Sequence, residues 1–254
     1  MSSEHYLFPN WPAPANVRAA TSQRTGGHSK GDYESFNLGA HVGDDERAVA
    51  ANRSQLLQEL QLPAKPQWLE QIHSDRIVEA KTDGLVRTAD ASFAAAPGAV
   101  CAVLTADCLP VFFCDKSGTR VAAAHAGWRG LAGGILRSSV EALDCDPQQL
   151  LVWLGPAIGP QAFETGVDVL EIFFENALGG EHAEEIAQCF RPHTKKPLHF
   201  LGDIYALARA ELRQLGVSEI YGGDRCTFTE EEHFFSYRRD KTTGRMASLI
   251  WLQE

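Results

Sequence analysis

The sequence predicts a single mixed α/β domain with its reactive groups gathered at strand ends. Three observations carry that expectation. Short apolar runs at Val100 to Thr105, Leu109 to Cys114 and Arg120 to Ala124 follow one another closely, each bounded by Asp, Gly or Pro and too short for an average helix. Amphipathic stretches of helical period lie around them, clearest from Asp203 to Gly216, where Ile204, Leu207, Ala208, Leu212 and Leu215 recur on one face. No repeat or linker divides residues 1–254, so one domain with two-layer or four-layer packing is expected.

Taken in order, Val17 to Ser22 reads as a strand and Thr25 to Asp32 as a turn-prone stretch whose Gly26-Gly27-His28-Ser29 segment suits a mobile loop. Glu46 to Leu60 has helical periodicity, with Asp44 or Asp45 available as its cap. Trp68 to His73 and Arg76 to Ala80 are short strand candidates ahead of the central runs. Arg129 to Leu143 reads as the helix that follows them. Leu150 to Leu154 is another strand, Gly166 to Ala177 another helix, and Met246 to Leu252 a closing strand.

Composition sets the limits. Apolar residues make up 44% and charged residues 22%, ordinary globular usage that leaves no case for disorder or a fibrous repeat. A formal charge of -10 with no Lys/Arg cluster repels phosphate backbones, so neither a nucleic-acid nor a membrane partner is expected. The beginning of the chain lacks the basic segment and apolar run of a signal peptide. The six cysteines form no CxxC pair, which fits reduced thiols in a cytoplasmic protein.

Three strong metal donors stand beside apolar elements: His73, Cys108 and His125. Two imidazoles and a thiolate leave a tetrahedral zinc one position short, the arrangement of a catalytic rather than a structural site. The donors are too far apart in sequence to form a local motif. Cys108 equally suits a nucleophile paired with either histidine. Asp107 offers a second carboxylate role, orienting a ligand histidine or moving a proton, or simply closes a turn.

The stretches Asn37-Leu38-Gly39-Ala40-His41-Val42-Gly43-Asp44-Asp45, Gln71-Ile72-His73-Ser74-Asp75, Leu104-Thr105-Ala106-Asp107-Cys108-Leu109-Pro110 and His125-Ala126-Gly127-Trp128-Arg129-Gly130 make the sequence recognisable. With Leu154 to Pro160 and Ser236-Tyr237-Arg238-Arg239-Asp240, the chain resembles the laccase-domain family, also called polyphenol oxidase or peptidoglycan editing factor proteins. The resemblance implies one catalytic domain of four-layer α/β/β/α architecture and one zinc ion held by His73, Cys108 and His125. It also implies phosphorolysis of purine nucleosides (adenosine, inosine, guanosine, methylthioadenosine) by inorganic phosphate, with adenosine deamination as a second reaction. Nine scattered histidines do not build a multicopper centre, so copper is at most an in vitro occupant.

Under that resemblance, Asp107 joins the three ligands as a catalytic candidate. Arg238 and Arg53 are expected to position phosphate, followed by Arg129; Asn37 and Gln71 are candidate substrate contacts, and Trp128 a purine-stacking candidate. The glycines form neither a P-loop nor a dinucleotide fingerprint. Two readings compete with phosphorolysis. One is an editing hydrolase that removes wrongly attached L-serine from a UDP-muramic acid precursor. The other is a metal-stabilised interaction module, which would fill the fourth metal position with a protein donor. A monomer or weak homodimer is expected.

Overall fold

In the computed structural model, which describes residues 3–254, two sheets pack face to face with helices on both outer sides. The larger sheet has six strands in the order Glu219–Gly222, Leu150–Leu154, Leu109–Asp115, Val121–Ala126, Ala91–Ala94, Ile77–Glu79. The smaller has four, in the order Tyr6–Leu7, Val17–Ser22, Met246–Leu252, Val100–Thr105.

Strand alternation generates the layers. Along Leu109–Asp115, Phe112 and Cys114 face the four-stranded sheet and pack with Cys101, Val103 and Ile250. Val111 and Phe113 face the other way, onto Leu131, Ile135, Leu136, Leu207 and Leu212 of the helices. The outer face of the smaller sheet, with Ala20, Ala102, Leu104 and Leu249, is covered by Leu56 and Leu60. These three apolar seams make the expected α/β/β/α sandwich. Among the described residues, no helix is long and apolar enough to cross a membrane.

The helix Glu46–Glu59 is capped by Asp45, whose carboxylate accepts from the amides of Arg47 and Ala48. The helix expected over Arg129 to Leu143 is two, Trp128–Gly133 and Ile135–Ala142, broken where Gly134 takes φ 98°. The strand expected over Trp68 to His73 is only Leu69–Glu70, because His73 turns to φ 61°. The helix Gly180–Gln188 and the small sheet of Glu164–Gly166, His199–Gly202 and Phe190–Pro192 are not among the elements expected from sequence. The Gly26 to Ser29 segment is not the loose loop expected. Gly27 donates to Ser35 Oγ and His28 to Asn52 Oδ1, and a Cβ on Gly27 would lie 2.5 Å from Phe36 Cα.

Candidate metal centre

Neighbouring strands bring the donors together. Pro110 pairs with His125 and Leu109 with Ala126, so Cys108, one residue earlier, arrives beside Gly127. His125 continues the row of Val121 and Ala123, side chains that face the other sheet, and stands at the end of that row. Cys108 lies on the link Ala106 to Cys108 between Val100–Thr105 of one sheet and Leu109–Asp115 of the other; Asp107 makes that turn at φ 90°.

The imidazoles of His73 and His125 meet edge to face with centroids 4.7 Å apart, and Cys108 Sγ lies 3.8 Å from His73 Nε2. One donor atom from each of the three residues falls within 4.8 Å of the others. Burial by itself would raise the Cys108 thiol. The charge of His125 and hydrogen bonds with both imidazoles outweigh it and bring the thiol down to about 6. His125 moves the opposite way, raised to about 9 against the effect of burial by the Cys108 thiolate and Asp90.

Two soft-to-borderline nitrogens and a readily formed thiolate are the donor set of a zinc-type site. The approach is close enough to require glycine at 127: a Cβ there would lie 2.8 Å from His73 Cδ2 and 3.0 Å from Cys108 Sγ. The residues therefore fit a bound metal ion.

A cavity of about 910 Å³ opens beside the three donors. Its wall also includes His41, Arg53, Trp68, Gln71, Val86, Tyr237 and Arg245. Ile72, Val86 and Tyr237 are each more than half exposed and give its mouth an apolar rim. Arg53 stacks on Trp68 with Cζ 4.2 Å from the ring centroid, and its Nε and Nη2 donate to Leu38 O. Arg245 Nη1 donates to the carbonyls of Thr243 and Gly244. Nη1 of Arg53 and Nε and Nη2 of Arg245 have no hydrogen-bond partner among the described residues. His41 is lowered from its usual range by burial first, then by the charges of Arg245 and Arg53.

Of the residues expected from sequence, His73, Cys108 and His125 converge, and Arg53 and Gln71 line the same cavity. Several expectations are corrected. The Gln71 amide is committed to the main chain of Leu104, donating to its carbonyl at 2.9 Å and accepting from its amide at 2.8 Å. Asn37 is fully buried, accepts from the amides of Gly39 and Arg245, and so holds a turn rather than a substrate. Asp107 is off the cavity wall, its carboxylate accepting from Thr227 Oγ1 and the Arg238 amide. Arg238 is also off the wall, its guanidinium donating to the carbonyls of Ala162 and Glu164. Arg129 stacks on Trp128 at 4.2 Å, and Trp128 packs against the helix-side core, so neither reaches the cavity.

Sequence reasoning missed Arg245, Tyr237, Trp68 and Asp90. Tyr237 was within reach, since it stands in the block that drew attention to Arg238.

The model of the family described as multi-copper polyphenol oxidoreductase laccase matches residues 18–253. The chain belongs to that family. Within it, the chain is 51% identical over 249 residues to a protein of Pseudomonas aeruginosa named purine nucleoside phosphorylase, covering 98% of this chain and 99% of the relative. It is also 51% identical over 247 residues to the Escherichia coli K12 purine nucleoside phosphorylase YfiH, covering 97% and 98%. A solved Neisseria meningitidis protein superposes with a TM-score of 0.92 at 48% identity, covering 99% of this chain and all of the other. YlmD from Geobacillus stearothermophilus gives 0.89 at 32% identity, covering 100% and 98%.

Proposed function

We propose that the chain is a zinc-dependent purine nucleoside phosphorylase acting on adenosine, inosine, guanosine and methylthioadenosine, with adenosine deamination as a second activity. The carrying observation is one cavity in which a three-donor metal group and two arginines with uncommitted N–H groups line the same wall. Its size suits a nucleoside and an anion together. The names borne by relatives matched over nearly their whole length support the same reading. Residues 1–254 act as one catalytic domain, in the cytoplasm, as a monomer or weak homodimer; the six free cysteines suit a reducing compartment.

In phosphorolysis a phosphate oxygen bonds to the ribose anomeric carbon while the glycosidic bond breaks and its electron pair departs with the purine. Arg53 keeps the phosphate-positioning role expected of it from sequence, and Arg245 takes the place of Arg238 and Arg129 beside it. Stacking on Trp68 and the bonds to Leu38 fix the Arg53 fork before phosphate arrives, so little ordering is left to binding. The Ile72, Val86 and Tyr237 rim shields the reacting atoms from water. His73, Cys108 and His125 would hold the zinc ion, which would supply Lewis-acid chemistry to the bound substrate. Deamination needs a proton for the departing amine. With Asp107 tied to Thr227 and Arg238, the Tyr237 hydroxyl is the proton donor left on the wall outside the metal group, since burial and the two arginines disfavour a charged His41.

The test is to incubate metal-assayed protein with adenosine or inosine, with and without phosphate, and to measure free base, ribose 1-phosphate and ammonia. Phosphate-dependent base release is expected, with ammonia from adenosine independent of phosphate. Turnover of the serine-bearing muramic precursor with no change in either nucleoside would reverse the assignment.

A further inference from the structure

One fully buried carboxylate touches the supports of two of the three metal ligands, and it belongs to neither ligand segment. Asp90 Oδ1 accepts from His125 Nδ1 at 2.8 Å and from the His73 amide at 2.9 Å. Its Oδ2 accepts from the amides of Ile72 at 3.2 Å and Ser74 at 2.6 Å, and from Ser74 Oγ at 2.7 Å. The main chain adds another tie, the His125 amide donating to Asp90 O at 2.7 Å.

Each arm has a defined consequence. The Nδ1 bond fixes which His125 nitrogen carries the proton and leaves Nε2 as the lone-pair donor to a metal. The three amides at 72–74 converge on one anion, and that convergence holds His73 at φ 61°, a conformation a non-glycine residue adopts only when its surroundings impose it.

We propose that Asp90 is the positioning residue of the metal centre, setting the ring of His125 and the backbone of His73 with one carboxylate. The inference rests on the metal reading of His73, Cys108 and His125 and adds the device that preorganises it. Asparagine at 90 would test it sharply. It keeps the volume but offers one accepting oxygen, so its NH₂ must face either the imidazole N–H or the loop amides.

The experiment compares the full-length wild type with Asp90→Asn, Ser74→Ala and Cys108→Ala. Zinc affinity is measured by competition with a chromogenic chelator. Two readouts are taken on metal-free protein: imidazole ¹H and ¹⁵N spectra for the hydrogen bond from His125 Nδ1, and hydrogen exchange at residues 72–74. For Asp90→Asn the expected result is zinc binding weakened about 10- to 100-fold, with faster exchange at residues 72–74 whichever way the amide turns, the His125 ring signal altered as well when the NH₂ takes the Oδ1 position, and far-UV circular dichroism retained. A folded variant with wild-type zinc affinity, or one in which the loop does not respond, overturns the proposal.

Cys108→Ala separates the two ideas. If it binds zinc as well as the wild type, the metal reading fails, and the ring hydrogen-bond and exchange data still judge Asp90. Should Asp90→Asn fail to fold, Ser74→Ala removes a single donor. It is expected to speed exchange at 72–74 and weaken zinc about three- to tenfold; no change in either overturns the proposal.

Discussion

Arg245 and Arg238 illustrate how little a residue type says without its partners. Both are arginines within the last stretch of the chain and both donate Nη1 to two main-chain carbonyls, Arg238 to Ala162 and Glu164 and Arg245 to Thr243 and Gly244, yet only Arg245 lines the cavity. Losing a charge-assisted hydrogen bond costs about 1.5–3 kcal/mol. Phosphate titrations of Arg245→Ala should therefore show half-saturation raised about 10- to 100-fold, with nucleoside binding far less affected. Arg238→Ala should instead lower the denaturation midpoint and leave phosphate saturation near wild type; the reverse pattern would return the anion site to Arg238.

Gly127 makes a second prediction at this scale. Its backbone, at φ -59°, accepts any residue, so alanine there is excluded only by its methyl group, which would press on His73 and Cys108. Overpacking of that kind costs about 1–3 kcal/mol. Gly127→Ala should bind zinc at least about tenfold more weakly, with the fold unchanged by circular dichroism; wild-type affinity would show that the donors are not held as tightly as described.

Among the elements, the helix Ile204–Gln214 carries an unusual burden. Its Glu211 is buried beside a water-sized cavity that His182 and Arg137 also line. Burial pushes the carboxyl up to about 7, only partly offset by the Arg137 amide and charge. As pH rises the unfolded chain ionises first. The stability contributed by the neutral carboxyl is thus complete below the ordinary value of 4.5 and lost by about 7. The unfolding free energy of Glu211→Gln, from denaturant titrations, should fall less between pH 5 and 8 than that of the wild type, by about 2–3 kcal/mol. Parallel curves would mean that Glu211 is ionised throughout.

The strands were the elements most open to sequence reasoning. Val100–Thr105, Leu150–Leu154 and Met246–Leu252 match their expected bounds, because apolar runs with sharp polar ends leave few alternatives. Donor chemistry likewise singled out His73, Cys108 and His125. Asp90 escaped because its five donors come from residues at least 16 positions away, and Thr88-Ala89-Asp90-Ala91-Ser92 reads as an ordinary strand approach. The left-handed turn at His73 escaped for the same reason, being imposed by that distant carboxylate rather than by local propensity.

For the whole molecule, the metal group stands at the end of the seam between the sheets, where His125 closes the row of Val121 and Ala123. A sandwich of this size buries enough surface to stand without a metal staple. Removing the ion with a strong chelator should abolish turnover while far-UV circular dichroism persists, the denaturation midpoint falling only by the linkage lost with the ion. Collapse of secondary structure on chelation would make the site structural.

Cys108 rides on the strap that joins the two sheets, so its sulfur reports how the plates are aligned. The pairing of Leu109 with Ala126 ties the sulfur to the plate of His125, so a slight shear of the other plate would be taken up in the strap from Ala106 to Cys108 while every ladder stayed intact. Grip on an ion thereby becomes an alignment gauge for the interior. Loosening of the stacked rings of Phe112 and Trp153, cross-strand neighbours of the larger sheet with centroids 5.4 Å apart and turned toward the other plate, would register as a slackened grip before it registered as an unfolded chain.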